Sequence, residues 1–235
     1  MPSTEETVLA TIDAFLASFS DVQPPFTATY KFVKPDSYVV LSHPSGIIQS
    51  SLEELVASWE DDLTKVYASG ATSASESVIA PGPEVRVAPS GTFASVWAGF
   101  GFKINGDEKI KGVYALSFEK TDDDKWLLTG LADKMWRTSD ATPETVATSA
   151  DLTEPVEALL SGKTDESLFL PGSGATISGT RTSWAALSTA LKTTTSSPSD
   201  WATRTVADVG FVWTGSVVVT LLNKDGKWLI SSVQA

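Results

Sequence analysis

The stretch KWLLTGLAD, Lys125 to Asp133, has a counterpart at the C-terminus, KWLISSVQA, Lys227 to Ala235. An internal repeat constrains architecture more than any composition figure, because two copies of one segment need two copies of the surroundings that bury it. Further matches keep the same order. LPGSGATIS, Leu170 to Ser178, lies over KPDSYVVLS, Lys34 to Ser42; SWAALSTALKTTT from Ser183 lies over SLEELVASWEDDL from Ser51; VGFVWTG, Val209 to Gly215, lies over FASVWAG, Phe93 to Gly99. Trp213 thus matches Trp97 and Trp228 matches Trp126. The second tryptophan pair is much closer in sequence than the first, so the second copy has a shortened central hairpin. The 235 residues are enough for two small domains.

Local patterns within the first copy give helix, strand, helix, then a meander. Val8, Ile12, Phe15, Leu16 and Phe19 recur at helical spacing behind a Ser3 or Thr4 cap, and Pro24 and Pro25 stop that run. SYVVLS reads as a strand leading through the turn HPSG into a second helix bearing Leu52, Leu55, Val56, Trp59 and Leu63. From Ser77 the period becomes two, with turns at Pro81 to Pro83, Asn105 to Glu108 and Thr121 to Asp124. RTSDATPETVATSAD, poor in large apolar residues, reads as a linker. The expected division is a first domain over 1–137, a linker over 138–152 and a shortened second domain over 153–235, opening on a short helix from Thr153 to Leu160.

Several function classes drop out. Twenty-nine acidic against 17 basic residues give a formal charge of −12, a sign that repels phosphate backbones and anionic lipid, so no nucleic acid and no membrane partner is expected. Glu5 and Glu6 near the N-terminus do not suit a signal peptide, and no apolar run reaches membrane-spanning length. With no cysteine there is no disulfide framework and no thiol nucleophile; a cytoplasmic location is the default expectation. SGKT, Ser161 to Thr164, is not a phosphate loop, since Glu157 stands where its leading glycine belongs. TDDDK, Thr121 to Lys125, reads as a turn, and no metal site or cofactor is expected.

The residues SLEELVASW, GTFASVWAGFGFKING, GVYALSFEKTDDDKW and LLTGLAD make the first copy resemble the nuclear transport factor 2-like superfamily, and within it the SnoaL-like group. The likeness covers Thr4 to Trp136 well and Thr153 to Ala235 in outline. It implies an α+β fold: a curved antiparallel sheet and helices forming a cone around a pocket, here in tandem. The strand TFASVWAGFGFKI adds something independent. Ala94, Val96, Ala98, Phe100, Phe102 and Ile104 fall on one face and Phe93, Trp97, Gly99 and Gly101 on the other, so both faces are apolar and both need cover. The second copy can supply the outer cover, giving an intrachain pseudo-dimer; a homodimer of first domains is the alternative.

Candidate site residues are few. Asp133 interrupts the apolar last strand of the first copy, in alternation with Leu127, Thr129, Leu131 and Met135, and the matching position of the second copy is Ala235. It is either a catalytic acid, where some members of the superfamily place one, or a strand end reaching solvent. His43, the lone histidine, is either a base or an exposed turn residue. Tyr30 and Tyr114 can donate hydrogen bonds to a ligand carbonyl or simply pack, and Trp97 can line a pocket or belong to the core. The paired histidines of scytalone dehydratase-like enzymes are missing. The resemblance implies a small hydrophobic organic ligand such as a polyketide or terpenoid, rearranged by a cofactor-free isomerase, lyase or cyclase. A ligand carrier or interaction protein without catalysis is the competing expectation.

Overall fold

A computed structural model describes residues 2–43, 46–144, 147–191 and 200–235. The first half contains α1 (Thr4–Ala17), β1 (Tyr38–His43), β2 (Gly46–Ser51), α2 (Leu52–Ala68), β3 (Ala74–Val87), β4 (Phe93–Ile104), β5 (Asp107–Lys120) and β6 (Trp126–Arg137). The second contains α3 (Ser149–Leu160), β7 (Phe169–Ile177), β8 (Thr180–Thr182), α4 (Trp184–Leu191), β9 (Ala202–Val206), β10 (Val209–Trp213), β11 (Val218–Lys224) and β12 (Lys227–Gln234). Two six-stranded sheets result, ordered β2-β1-β6-β5-β4-β3 and β8-β7-β12-β11-β10-β9. The orders are identical element for element. In each, the first strand runs parallel to the last while the other pairings are antiparallel. Tandem α+β units are therefore a property of the topology itself.

Local chemistry explains the element ends. Ser3 and Glu6 cap α1 reciprocally, and Ser51 with Glu54 does the same for α2. Asn105 and Gly106 both hold positive φ, 52° and 82°, as a two-residue hairpin between β4 and β5 requires; Asp225 and Gly226 repeat this between β11 and β12.

The layers run helix, sheet, sheet, helix. α1 and α2 cover the inner face of the first sheet, where Val8, Ile12, Phe15, Leu52 and Val56 meet Ala94, Val96, Phe118 and Leu128. α3 and α4 cover the second sheet in the same way through Leu152, Val156 and Leu187. The two sheets then pack back to back: Tyr38, Val40, Phe93, Ala115 and Ala132 face Leu170, Val209, Phe211, Val218 and Leu222. Phe93 stacks on Trp213 at 5.7 Å and Trp97 meets Phe211 edge-on at 4.5 Å. The second copy thus covers the outer face of the first, as the two-faced strand required.

Four local expectations need correction. The turn HPSG does not lead straight into α2; the chain first forms β2, an edge strand too short to show a period of its own. Pro81 to Pro83 is not a turn between strands but lies within β3, at an irregularity between Ile79 and Glu84. Gly99 makes room for it, since a Cβ there would meet the Ala80 carbonyl oxygen at 2.3 Å. α3 starts at Ser149, not Thr153, because Thr148 and Asp151 form a capping box, so Pro155 lies inside the helix and residues 149–152 are not linker. Finally, a register shift where β5 pairs β6 places Leu128, not Leu127 or Thr129, in the inner core with Leu131. Thr129 turns to Ser117 instead, 3.4 Å away.

Candidate functional site

Asp133 lies within β6, next to Leu41 of β1 and opposite Tyr114 of β5 in the pairing register. Leu41, Leu131 and Tyr114 belong to the inner core of the first domain, so the sheet carries this carboxyl into the cone. It does not reach solvent: Asp133 is 5% exposed and Tyr114 3%. Phe100 stacks on the Tyr114 ring at 5.1 Å, and Gly112 permits that approach, because a Cβ there would sit 2.4 Å from the Phe100 ring.

Burial pushes the Asp133 carboxyl well above the usual carboxylate range; the Ser42 N–H and the Lys134 charge oppose that rise while the Glu76 charge adds to it. The Ser42 N–H donates to Asp133 Oδ1 at 3.1 Å. Burial also raises the Tyr114 phenol, with Glu76 and Asp13 adding to it, and the Tyr114 hydroxyl has no hydrogen-bond partner among the described residues. Glu76 of β3, a residue absent from the sequence candidates, is pushed by burial up to about 7. Its backbone N–H donates to Ser20 Oγ at 3.0 Å, which ties that end of β3 to the segment following α1. The signal was present in the sequence, since Glu76 alternates with Ala74 and Val78 on the apolar face of β3.

A protonated carboxyl and a phenol can donate hydrogen bonds, and a glutamate raised toward neutrality can accept a proton. Among the described residues no three His, Asp or Glu side chains cluster as metal ligands.

The other sequence candidates lie elsewhere. His43 ends β1 and its backbone pairs with Gly46, while its side chain falls outside the described residues. Tyr30 sits on the 3-10 turn Thr29–Phe32 at the margin of the inner core, its phenol raised by burial and then by Glu60 and Glu53 of α2. Trp97 occupies the opposite face of the sheet from Asp133. There it lines a slot of about 30 Å3 between the sheets with Phe211, Trp213, Glu84, Arg86 and Arg204, space for about one water molecule. A second cleft, of about 730 Å3, runs over the second domain between α3 and the β11–β12 turn. Ala235, which matches Asp133, packs against the inner core of that domain.

On the back of the first sheet, Lys134 pairs with Asp208 of the β9–β10 turn at 2.6 Å and donates to Ser42 Oγ at 3.3 Å. Arg204 of β9 pairs with Glu84 of β3. Tyr38 Oη donates to the Gly172 carbonyl at 2.6 Å. No helix among the described residues is long and apolar enough to cross a membrane.

No protein-family model matches the chain, and no curated protein matches it. Solved structures do. A nuclear transport factor 2-like protein of unknown function from Shewanella oneidensis is 14% identical, covering 56% of this chain and 99% of its own, with a TM-score of 0.42. A nuclear transport factor 2-like protein from Cytophaga hutchinsonii is 14% identical over 57% of this chain and 98% of its own, TM-score 0.40. A protein with a cystatin-like fold from Caulobacter vibrioides is 12% identical over 66% and 97%, TM-score 0.43. The tandem cone arrangement expected from the sequence stands on the sheet order and the three cores; likenesses at these scores add nothing to it.

Proposed function

We propose that the first domain binds a small, neutral, mostly apolar organic molecule inside its cone, in the manner of the SnoaL-like proteins its strands resemble. Asp133 and Tyr114 donate hydrogen bonds to a carbonyl or hydroxyl of that molecule, and Glu76 takes the part of proton acceptor in a cofactor-free rearrangement of the isomerase, lyase or cyclase type. His43 is a further candidate base and Tyr30 a contact at the margin of the inner core. The observation that carries the reading is the pairing of Asp133 with Tyr114 across β5 and β6 in an apolar interior, with the phenol oxygen unpartnered among the described residues. Natural interiors satisfy nearly all such groups, so an unpaired donor beside a buried acid suits a ligand. A carrier without turnover would use the same donors.

The test is a panel of neutral polyketide and terpenoid ketones and lactones, read by tryptophan fluorescence and thermal shift. Asp133→Asn and Tyr114→Phe should each weaken binding by about tenfold, the worth of one buried hydrogen bond. Binding unchanged in both variants would overturn the reading. Where a ligand is also converted, loss of turnover in Glu76→Gln or His43→Ala with binding retained assigns the base; retained turnover in both removes them from that role.

A further inference from the structure

The second domain has alanine where the first has its buried acid, yet it reaches the first-domain site by a short polar chain. Asp208 Oδ1 lies 2.6 Å from Lys134 Nζ; Lys134 Nζ donates to Ser42 Oγ at 3.3 Å; the Ser42 N–H donates to Asp133 Oδ1 at 3.1 Å. Lys134 follows Asp133 in β6 and Ser42 pairs with Lys134 across β1, so neighbouring strands carry the chain from one face of the sheet to the other. We propose that Asp208 is a positioning residue for the first-domain site, lying against the Lys134 ammonium and offsetting the positive charge that Asp133 experiences. The inference rests on Asp133 being the acid of that site.

The charges around the two groups define the expectation. Asp133 faces Tyr114 of β5, Glu76 of β3, the Ser42 N–H of β1 and, through the sheet, Lys134; Asp13 of α1 bears on Tyr114. Lys134 faces Asp208 and Ser42 Oγ, with its side chain 17% exposed. Lys134 is the positive charge acting on Asp133, and Asp208 is the carboxylate that offsets it. In a partly desolvated setting a charge several ångströms away is felt at about 1 kcal/mol, enough to move a titration. Fusion of two copies has thus given the domain that lacks a counterpart of Asp133 a part in tuning the acid of its twin.

The experiment follows the Asp133 side-chain carboxyl by 13C NMR across pH in the full chain without ligand, the resonance being assigned by its loss in Asp133→Asn. Asp208→Asn should lower the Asp133 midpoint by about half to one pH unit, and Lys134→Gln should raise it by a similar amount. Opposite signs are the diagnostic, because general loosening of the fold would lower both toward the ordinary value. A midpoint unmoved by Asp208→Asn, or a fall in both variants, overturns the proposal. Should Asp208→Asn not fold, Lys134→Gln alone decides: a midpoint that fails to rise is contrary. No ligand enters this measurement, so its failure is distinct from failure of the binding test.

Discussion

An aspartate held at 5% exposure inside an apolar core is a liability unless it stays protonated, and that fixes how the molecule should respond to pH. Asp133 and Glu76 both titrate above their ordinary values in the folded chain. Between about pH 4 and the raised values the unfolded chain has already lost those protons while the native one keeps them, so stability falls as pH rises, by up to about 1.4 kcal/mol per pH unit for each group. For Glu76 the window closes near about 7. Glu84, Asp151 and Asp165 are shifted downward, and their contribution is lost only as pH falls below the ordinary carboxylate range. Thermal unfolding should therefore give a higher Tm at pH 5 than at pH 8, and Asp133→Asn should flatten that slope by removing one titrating group. A Tm that climbs steadily from pH 5 to 8 would contradict the upward shift of these two acids.

Among the elements, β5 and β6 bring Tyr114 and Asp133 together, and β4 supplies the Phe100 ring that lies on Tyr114. Gly112 of β5 lets the Phe100 ring lie against Tyr114, so Gly112→Ala should cost roughly 2 kcal/mol by forcing that ring aside. Chemical denaturation measures the loss, and a cost near zero would mean the stack is not tight. These strands were legible in the sequence because long period-two runs flank the Asn105-Gly106 turn, and the need for cover on both faces followed from Phe93 and Trp97 facing away from Ala94 and Val96. Where reading failed, the decisive signal lay in another segment. β2 exists because β1 offers it a partner; the irregularity in β3 is accommodated by Gly99 of a different strand; the face of Thr129 depends on a register shift in the pairing of β5 with β6. Asp133 and Tyr114 could each be picked out singly, but their pairing, and the approach of Glu76, arise only when the strands are laid side by side and curled.

As a whole molecule, the chain is two repeats sharing one outer core, with its aromatic contacts exchanged across the interface: Trp213 on Phe93 and Trp97 on Phe211. That arrangement gives the sheet of the first domain a back cover, hides Tyr38 and Phe93 from solvent, and brings Asp208 to Lys134. The most direct measurement uses the absence of cysteine in the chain. Glu84→Cys with Arg204→Cys replaces an ion pair that joins β3 to β9 across the two sheets. Treated with a short bis-maleimide at low protein concentration, the double variant should give a monomeric product in which the peptides carrying positions 84 and 204 are joined within one chain, as mass spectrometry would record. Products joined only between chains, or no cross-link at all, would contradict the back-to-back packing of the two halves.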